Sequence, residues 1–391
     1  MPVRDGSECH DVERFLLRLL AAPSLSTQEA AAAEVLRAEL VTLGFEVETD
    51  ELGNVIGVLD LGPGPTILLD SHLDTVGVER PEAWSAAPSG ERRGDLIYGR
   101  GAVDMKGPLA ACVHGVASLG TTHDAGRIVV SGSVAEELVE GAALVPIVQR
   151  VAPDYVVICE PTAGALALGQ RGRAEVVVEV TGKPCHSAYP AEGVNAAEVM
   201  AEIICEVRCL PATQHPVLGD GILVLTDLAS SPLPSLSVVP ARCTARFDRR
   251  TLPGELLSDV LEPIRSVAER VAAQFDASTE VSLGEATYTT YTGCAVRAAC
   301  FAPAWVTEPG STVAESALQG FASVGMTLPV SHYSFCTNGS ATAGALGVPT
   351  IGYGPGAPNL AHQVDEAIAL SELREGVRGY AALVRGLTSR A

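Results

Sequence analysis

Ile67-Leu-Leu-Asp-Ser-His-Leu-Asp-Thr75 is an apolar run of strand length that opens into a His-X-Asp. Two other stretches share this form. Ile128-Val-Val-Ser-Gly-Ser-Val-Ala135 runs into Glu136-Glu137, and Val156-Val-Ile-Cys159 runs into Glu160 and Pro161. Near-continuous apolar strands of this kind are buried on both faces. Segments of helical periodicity accompany them. Asp11–Leu20 and Gln28–Leu43 read as helices, the second with Ser26 or Thr27 as N-cap and Gly44 as stop. Met105–Leu119 reads as a buried helix, and Gly141–Arg150 as another. Phe45–Thr49 and Val55–Leu59 read as short strands. This alternation predicts an α/β fold, a mostly parallel sheet sandwiched by helices.

The pattern changes near Arg173. Strand Ala174–Val180 precedes a helix over Asn195–Cys209, strands Gly221–Leu228 and Ser237–Arg249, a helix from Pro253 to Phe275, and strand Thr279–Leu283. The order β-α-β-β-α-β is that of a ferredoxin-like α+β module. Helix and strand alternate again after Tyr291 and end in a helix over Leu370–Leu387. The reading is a discontinuous catalytic domain, residues 1–172 plus 290–391, with a module inserted at 173–289.

The chain has 391 residues, 47% hydrophobic and 19% charged, enough apolar material for two or three folding units. Aromatics are only 4%, so Ala, Val and Leu must fill the cores. The net charge of -21 argues against nucleic acid or an anionic membrane surface as partner. Ten cysteines are scattered without a CxxC, which reads as buried thiols in a reducing compartment. Met1–Phe15 lacks a signal-peptide core and no run reaches transmembrane length, so the expected location is cytoplasmic.

His72, Asp104, Glu137, Glu160 and His362 each stand at a strand end or in a loop. Two imidazoles and three carboxylates suit two borderline divalent ions. His72 and Asp74, two apart on an extended chain, point to the same side, where the acid can orient the ring or hold a catalytic group. Gly99-Arg-Gly-Ala-Val-Asp-Met-Lys-Gly107 places Asp104 at a helix start, where it reads either as a helix cap or as a carboxylate shared by two ions. Glu136-Glu137 reads as a solvated turn or, beside cations, as one ligand and one free base. His362 is delivered by a loop rich in Gly and Pro, Gly352–Glu366. Any one of these segments has an ordinary structural reading. Their joint occurrence, in this order, points to a metal-dependent hydrolase.

Together these residues resemble the M20 metallopeptidase family, which includes acetylornithine deacetylase, succinyl-diaminopimelate desuccinylase, aminoacylase and glutamate carboxypeptidase. The resemblance spans nearly the whole chain. It implies a di-zinc exopeptidase-type fold, with the inserted module as a lid that mediates homodimerisation. It also implies two divalent metal ions, Zn²⁺ with Co²⁺ or Mn²⁺ as alternatives. His72 and Glu160 would bind one ion and Glu137 and His362 the other. Asp104 would bridge them, followed by a cis peptide to Met105. Glu136 would be the general base and Asp74 the partner of His72. In the module, His186 of Gly182–Pro190 would reach the neighbouring subunit's active site and bond the oxyanion. Arg250 of Asp248–Glu255 would bind a substrate carboxylate, with Arg246, Asp248 and Arg250 on one strand face. Asn195 would lie near substrate. Thr337, Asn338 and Gly339, in a loop that departs from the family pattern, would offer donors to a carboxylate.

The expected reaction is hydrolysis of an N-acyl amino acid, or of a short peptide next to a free carboxylate. A dipeptidase or aminopeptidase of the same family is the alternative, although Glu160 favours the deacylase and carboxypeptidase branch. A non-catalytic metal-binding pseudoenzyme is the reading from another class.

Overall fold

The computed structural model describes residues 7–120 and 123–389. Residues 1–6, part of the stretch read for a leader, and the side chain of Cys9 lie outside them. The chain forms two compact units. One comprises the residues up to Gln170, Thr287–Arg297 and Val306 onward; the other comprises Arg171–Ala286 and Ala298–Trp305.

The first unit is built on a nine-stranded sheet. Strand Thr66–His72 lies at its centre, parallel to Arg127–Ser133 on one side and to Tyr155–Ile158 on the other. Thr350–Gly352 extends the parallel run. Val55–Asp60 and Glu46–Thr49 close one flank with antiparallel pairing. Alternation explains the apolar runs read from the sequence. Ile67, Leu69, Ile128, Val130 and Val157 pack into one core with helices Ser7–Ala21, Lys106–Ala117, Thr312–Ser323 and Leu370–Thr388. Leu68, Val129, Val156 and Ile158 pack into the other, against Leu144, Ile147 and Val148. Full burial of such a side chain contributes about 1.5–3 kcal/mol. In-register pairing of His72 with Ser133 brings the C-terminal ends of these strands level. Open α/β sheets place their ligands at this edge.

Three local expectations need correction. The second helix starts at Ala30, with Glu29 at its N-cap position, so neither Ser26 nor Thr27 caps it. The hydroxyl of Ser26 donates to Asp74 instead, at 2.7 Å. A three-stranded sheet of Glu91–Arg93, Leu96–Tyr98 and Ala367–Ala369 was not foreseen, because its strands are too short to show a period. Cys205 and Cys209 are exposed, whereas Cys112, Cys159, Cys243 and Cys336 are buried as expected.

The second unit is an antiparallel sheet in the order Ile222–Ser231, Arg242–Thr251, Gly172–Thr181, Ser278–Leu283, with helices Ala196–Val207 and Leu257–Ala272 packed into its core. It is not one continuous insertion over 173–289. Strand Ser278–Leu283 covers only Val176–Thr181 of its neighbour. The edge at Arg173 and Ala174 is completed by Phe301–Ala302, and Glu175 N–H donates to Cys300 O at 3.0 Å. An edge left with unpaired backbone groups is costly, and this second passage of the chain covers it.

Candidate metal centre

Three strand ends and two loops of the first unit bring the acidic and imidazole side chains together. His72 ends its strand. Its Nδ1 lies 2.9 Å from the carbonyl oxygen of Asp74, so Nδ1 carries the proton and Nε2 is left to face the cluster. Nε2 is 3.0 Å from Asp104 Oδ1 and 3.4 Å from Glu160 Oε1. The other Asp104 oxygen, Oδ2, is 3.2 Å from His362 Nε2, which lies 3.0 Å from Glu137 Oε1. Asp104 therefore stands between two imidazoles, one oxygen turned to each. Potential ligand atoms of His72, Glu136 and Glu160 lie within 4.8 Å of one another, as do those of His72, Asp104 and Glu137. Glu136 is thus as close to His72 and Glu160 as a ligand would be.

The backbone around Asp104 explains the glycines of its motif. The peptide Asp104–Met105 is cis. The next helix starts at Lys106 with Met105 at its N-cap, so Asp104 is not a cap and its carboxylate is free for the cluster. A Cβ at Gly107 would meet Ala102 O at 2.2 Å, and Gly101 has φ +87°. Neither position admits a side chain without a shift of backbone. The Lys106 ammonium is buried and donates to Leu19 O and Ala22 O at 2.8 and 2.9 Å; burial lowers its pKa to about 8.

The Glu136-Glu137 turn is held by acids that the sequence reading did not assign to it. Asp74, fully buried, accepts the Glu136 N–H on Oδ1 and the Glu137 N–H on Oδ2, both at 3.1 Å. Its Oδ1 is 3.5 Å from His72 Nδ1, so the carboxylate serves the turn more closely than the ring. Ala135 sits at φ +55° and donates its N–H to Glu29 Oε1 at 3.1 Å. Asn54 Oδ1 accepts from Val134 N–H at 3.0 Å. Asp70, also buried, accepts from Ser131 at 2.6 Å and from Asn338 at 2.8 Å. Glu366 accepts from the N–H groups of Val103 and Asp104 and from Arg100. Asp70 and Glu366 stand within quoted motifs, but nothing local marks Asp70, Glu366, Glu29 or Asn54 as a partner of the cluster.

The electrostatics are those of acids crowded around two bases. Burial pushes the Glu136 carboxyl well above its ordinary value; Glu160, Glu140 and Glu137 add to this and His72 opposes it. Burial and the Asp104 charge raise Glu160 to about 7. Burial disfavours the His72 imidazolium, but Asp104, Asp74 and Glu160 outweigh it and hold its pKa well above normal. Asp104 and Glu137 raise His362 to about 10. Burial opposes ionisation of Asp104, yet His362 and His72 hold its pKa well below the carboxylate range. Four carboxylates thus face two imidazoles. The buried Glu160 Oε2 has no hydrogen-bond partner among the described residues. An unpartnered buried oxygen in a cluster with more carboxyl groups than imidazoles is what a cation would satisfy. The N and O donor set fits a zinc-like divalent ion.

The remaining site residues are placed as follows. Thr337 donates to Gln170 Oε1 at 2.6 Å, and Asn338 donates to Asp70 and accepts from Gly141 N–H at 2.5 Å. Gly339 N–H donates to Thr337 Oγ1 at 3.0 Å, so the polar side chains of this loop are engaged inside the protein. His186, Asn195 and Arg250 belong to the second unit. His186 is exposed, and its Nδ1 accepts the Ala188 N–H at 3.0 Å, leaving the neutral ring with its proton on Nε2. Asn195 caps its helix, accepting from Ala197 N–H at 3.1 Å. Arg250 donates to Asp248 at 2.7 Å, whereas Arg249 pairs with Glu255. Arg249 thus points away from its neighbours, as strand alternation predicts.

A family model described as peptidase family M20/M25/M40 matches residues 68–386. The chain is 32% identical over 383 residues to the uncharacterized protein YgeY of Escherichia coli strain K12, an alignment covering 95% of this chain and 93% of that one. It is 27% identical to a succinyl-diaminopimelate desuccinylase of Caulobacter vibrioides, over 94% of this chain and 93% of the relative. Among solved structures, the Bacillus subtilis YXEP protein, described as a dinuclear metal binding peptidase, superposes with a TM-score of 0.71 at 15% identity. That superposition covers 98% of this chain and 99% of that one and shows the shared fold.

Proposed function

We propose a specific reaction for a chain that belongs to peptidase family M20/M25/M40 and is a hydrolase of amide or peptide bonds. It removes the acyl group of an N-acyl amino acid, or cuts a short peptide beside a free carboxylate. The observation that carries this reading is Asp104, set between the two imidazoles, with the buried Glu136 beside His72 and Glu160.

His72, Asp104 and Glu160 would hold one divalent cation, and Asp104, Glu137 and His362 a second, Zn²⁺ with Co²⁺ or Mn²⁺ as alternatives. When bound, such ions supply Lewis acidity that polarises the amide carbonyl and lowers the pKa of water towards ~7. Glu136 takes the proton of the attacking water and delivers it to the leaving nitrogen. Asp74 aims Glu136 by gripping the backbone N–H groups of the acid pair. In the homodimer, His186 of the partner subunit donates from Nε2 to the oxyanion. Arg250, oriented by Asp248, pairs with the substrate carboxylate, and Asn195 and the loop Thr337–Gly339 shape its surroundings. The second unit acts as lid and dimer contact in a cytoplasmic homodimer.

A panel of N-acetyl, N-succinyl and N-formyl amino acids and dipeptides, assayed with added Zn²⁺ or Co²⁺, tests the reading together with Glu136→Gln. The variant should keep its cations and lose turnover by about 10²–10⁴-fold. Activity equal to wild type on every hydrolysed member of the panel would remove Glu136 from the role. No hydrolysis by the cation-loaded wild type would remove the reaction.

A further inference from the structure

We propose that Arg100 and Glu366 form a positioning strut that sets Asp104 and His362 at a fixed separation, and so governs binding of the second cation. The proposal rests on the two-cation reading above. Glu366 is completely buried. One of its oxygens accepts the N–H groups of Val103 and Asp104, at 2.8 and 3.1 Å. Its other oxygen accepts from Arg100 Nη1 at 2.6 Å. Arg100, 7% exposed, turns Nη2 to the carbonyl oxygen of His362 at 3.3 Å and lays its guanidinium over the Trp84 ring at 5.4 Å. A continuous set of bonds thus runs from the Asp104 backbone through Glu366 and Arg100 to the His362 backbone.

His362 needs such a tether more than His72 does. His72 is fixed in the central strand and buried. His362 sits in a loop at φ +62°, and its side chain is 46% exposed. Among the described residues its ring is bonded only to Asp104 and Glu137, the groups with which it would share a cation. Cations cannot be chelated tightly by ligands whose spacing drifts, since the ordering of the ligands is then charged to binding. The planar fork of Arg100 holds Glu366 and His362 through two separate nitrogens in a fixed geometry, which the point charge of a lysine on its flexible stem does not reproduce. No other cationic side chain among the described residues links the two loops by a hydrogen bond.

The test uses full-length Arg100→Lys and Glu366→Gln, with Glu39→Gln as control. Glu39 is a buried acid bonded to His114 and Arg18, and it makes no bond to the cluster. Zinc bound per chain is measured by equilibrium dialysis over graded free Zn²⁺, and melting is followed for the zinc-free proteins. Wild type should take up two zinc ions. Both strut variants should bind the second about 10–100-fold more weakly and the first unchanged. The control should lose melting temperature and keep both ions. Should Glu366→Gln fail to fold, Arg100→Lys carries the test, because it keeps a positive charge opposite Glu366. Strut variants that melt lower yet bind both ions like wild type overturn the proposal. Wild type that takes up fewer than two ions overturns the two-cation reading, and the strut with it.

Discussion

Replacing Asp74 by Asn should cost both stability and rate, and the structure gives the size of each. The wild-type carboxylate is fully buried and accepts three hydrogen bonds: the N–H groups of Glu136 and Glu137 at 3.1 Å each, and the Ser26 hydroxyl at 2.7 Å. Asn keeps one accepting oxygen and sets an NH₂ against the remaining donors. The Ser26 hydroxyl can rotate to accept, but a backbone N–H cannot. One charge-assisted bond is therefore lost and one buried donor is stranded, about 2–4 kcal/mol in all. For a unit of this size that lowers the first melting transition by roughly 5–15 °C. The turn also carries Ala135 at φ +55°, so a freed backbone should relax and move Glu136. A misplacement of ~1 Å costs on the order of 10²-fold in kcat. Ser26→Ala removes only the third bond and should cost about 1–2 kcal/mol, with a few-fold loss in rate. Calorimetry and steady-state kinetics on the same preparations decide the matter. A melting loss in Asp74→Asn with unchanged kcat would mean that Asp74 supports the fold and not the base. No loss in either would refute the geometry.

Other perturbations should be as discriminating. His362→Ala should reduce bound zinc from two ions per chain towards one at limiting zinc, because it removes the imidazole 3.0 Å from Glu137; metal analysis after dialysis reads this directly. Glu39→Gln should lower stability at neutral pH by about 1–3 kcal/mol. Burial opposes ionisation of Glu39, but His114 and Arg18 outweigh it, and the folded-state pKa is depressed. That contribution is present above the unfolded-state value and is lost as pH falls through the folded one. Urea melts of wild type and variant should accordingly converge below about pH 4. Gly107→Ala should abolish soluble folded protein or its zinc uptake, since the added carbon falls 2.2 Å from Ala102 O; normal yield and two bound ions would show that this helix start can yield.

The parts of this protein that were legible in the sequence are those whose signal is local. Ile67–His72 and Ile128–Ser133 are buried on both faces and therefore read as unbroken apolar runs. Five of the clustered side chains follow such runs or stand among glycines, so their positions follow from neighbours along the chain. Glu366, Asp70 and Glu29 carry no comparable signal. Each is an acid at an ordinary-looking position, and each matters because a partner remote in sequence arrives beside it: Arg100 across 266 residues, Asn338 across 268, Ala135 across 106. Burial makes the acids costly until those partners are in place. Asp74 lies between the two cases. Its spacing from His72 is visible in sequence, and that spacing points to a partner for the ring or for a catalytic group without deciding between them. The carboxylate reaches the backbone of Glu136 and Glu137, because the adjacent strand, Arg127–Ser133, ends level with His72 and brings both N–H groups within 3.1 Å of it. Motif spacing fixes which side chains share a face. Which backbone donors that face meets depends on the register of the neighbouring strands, and here that register decides what Asp74 holds.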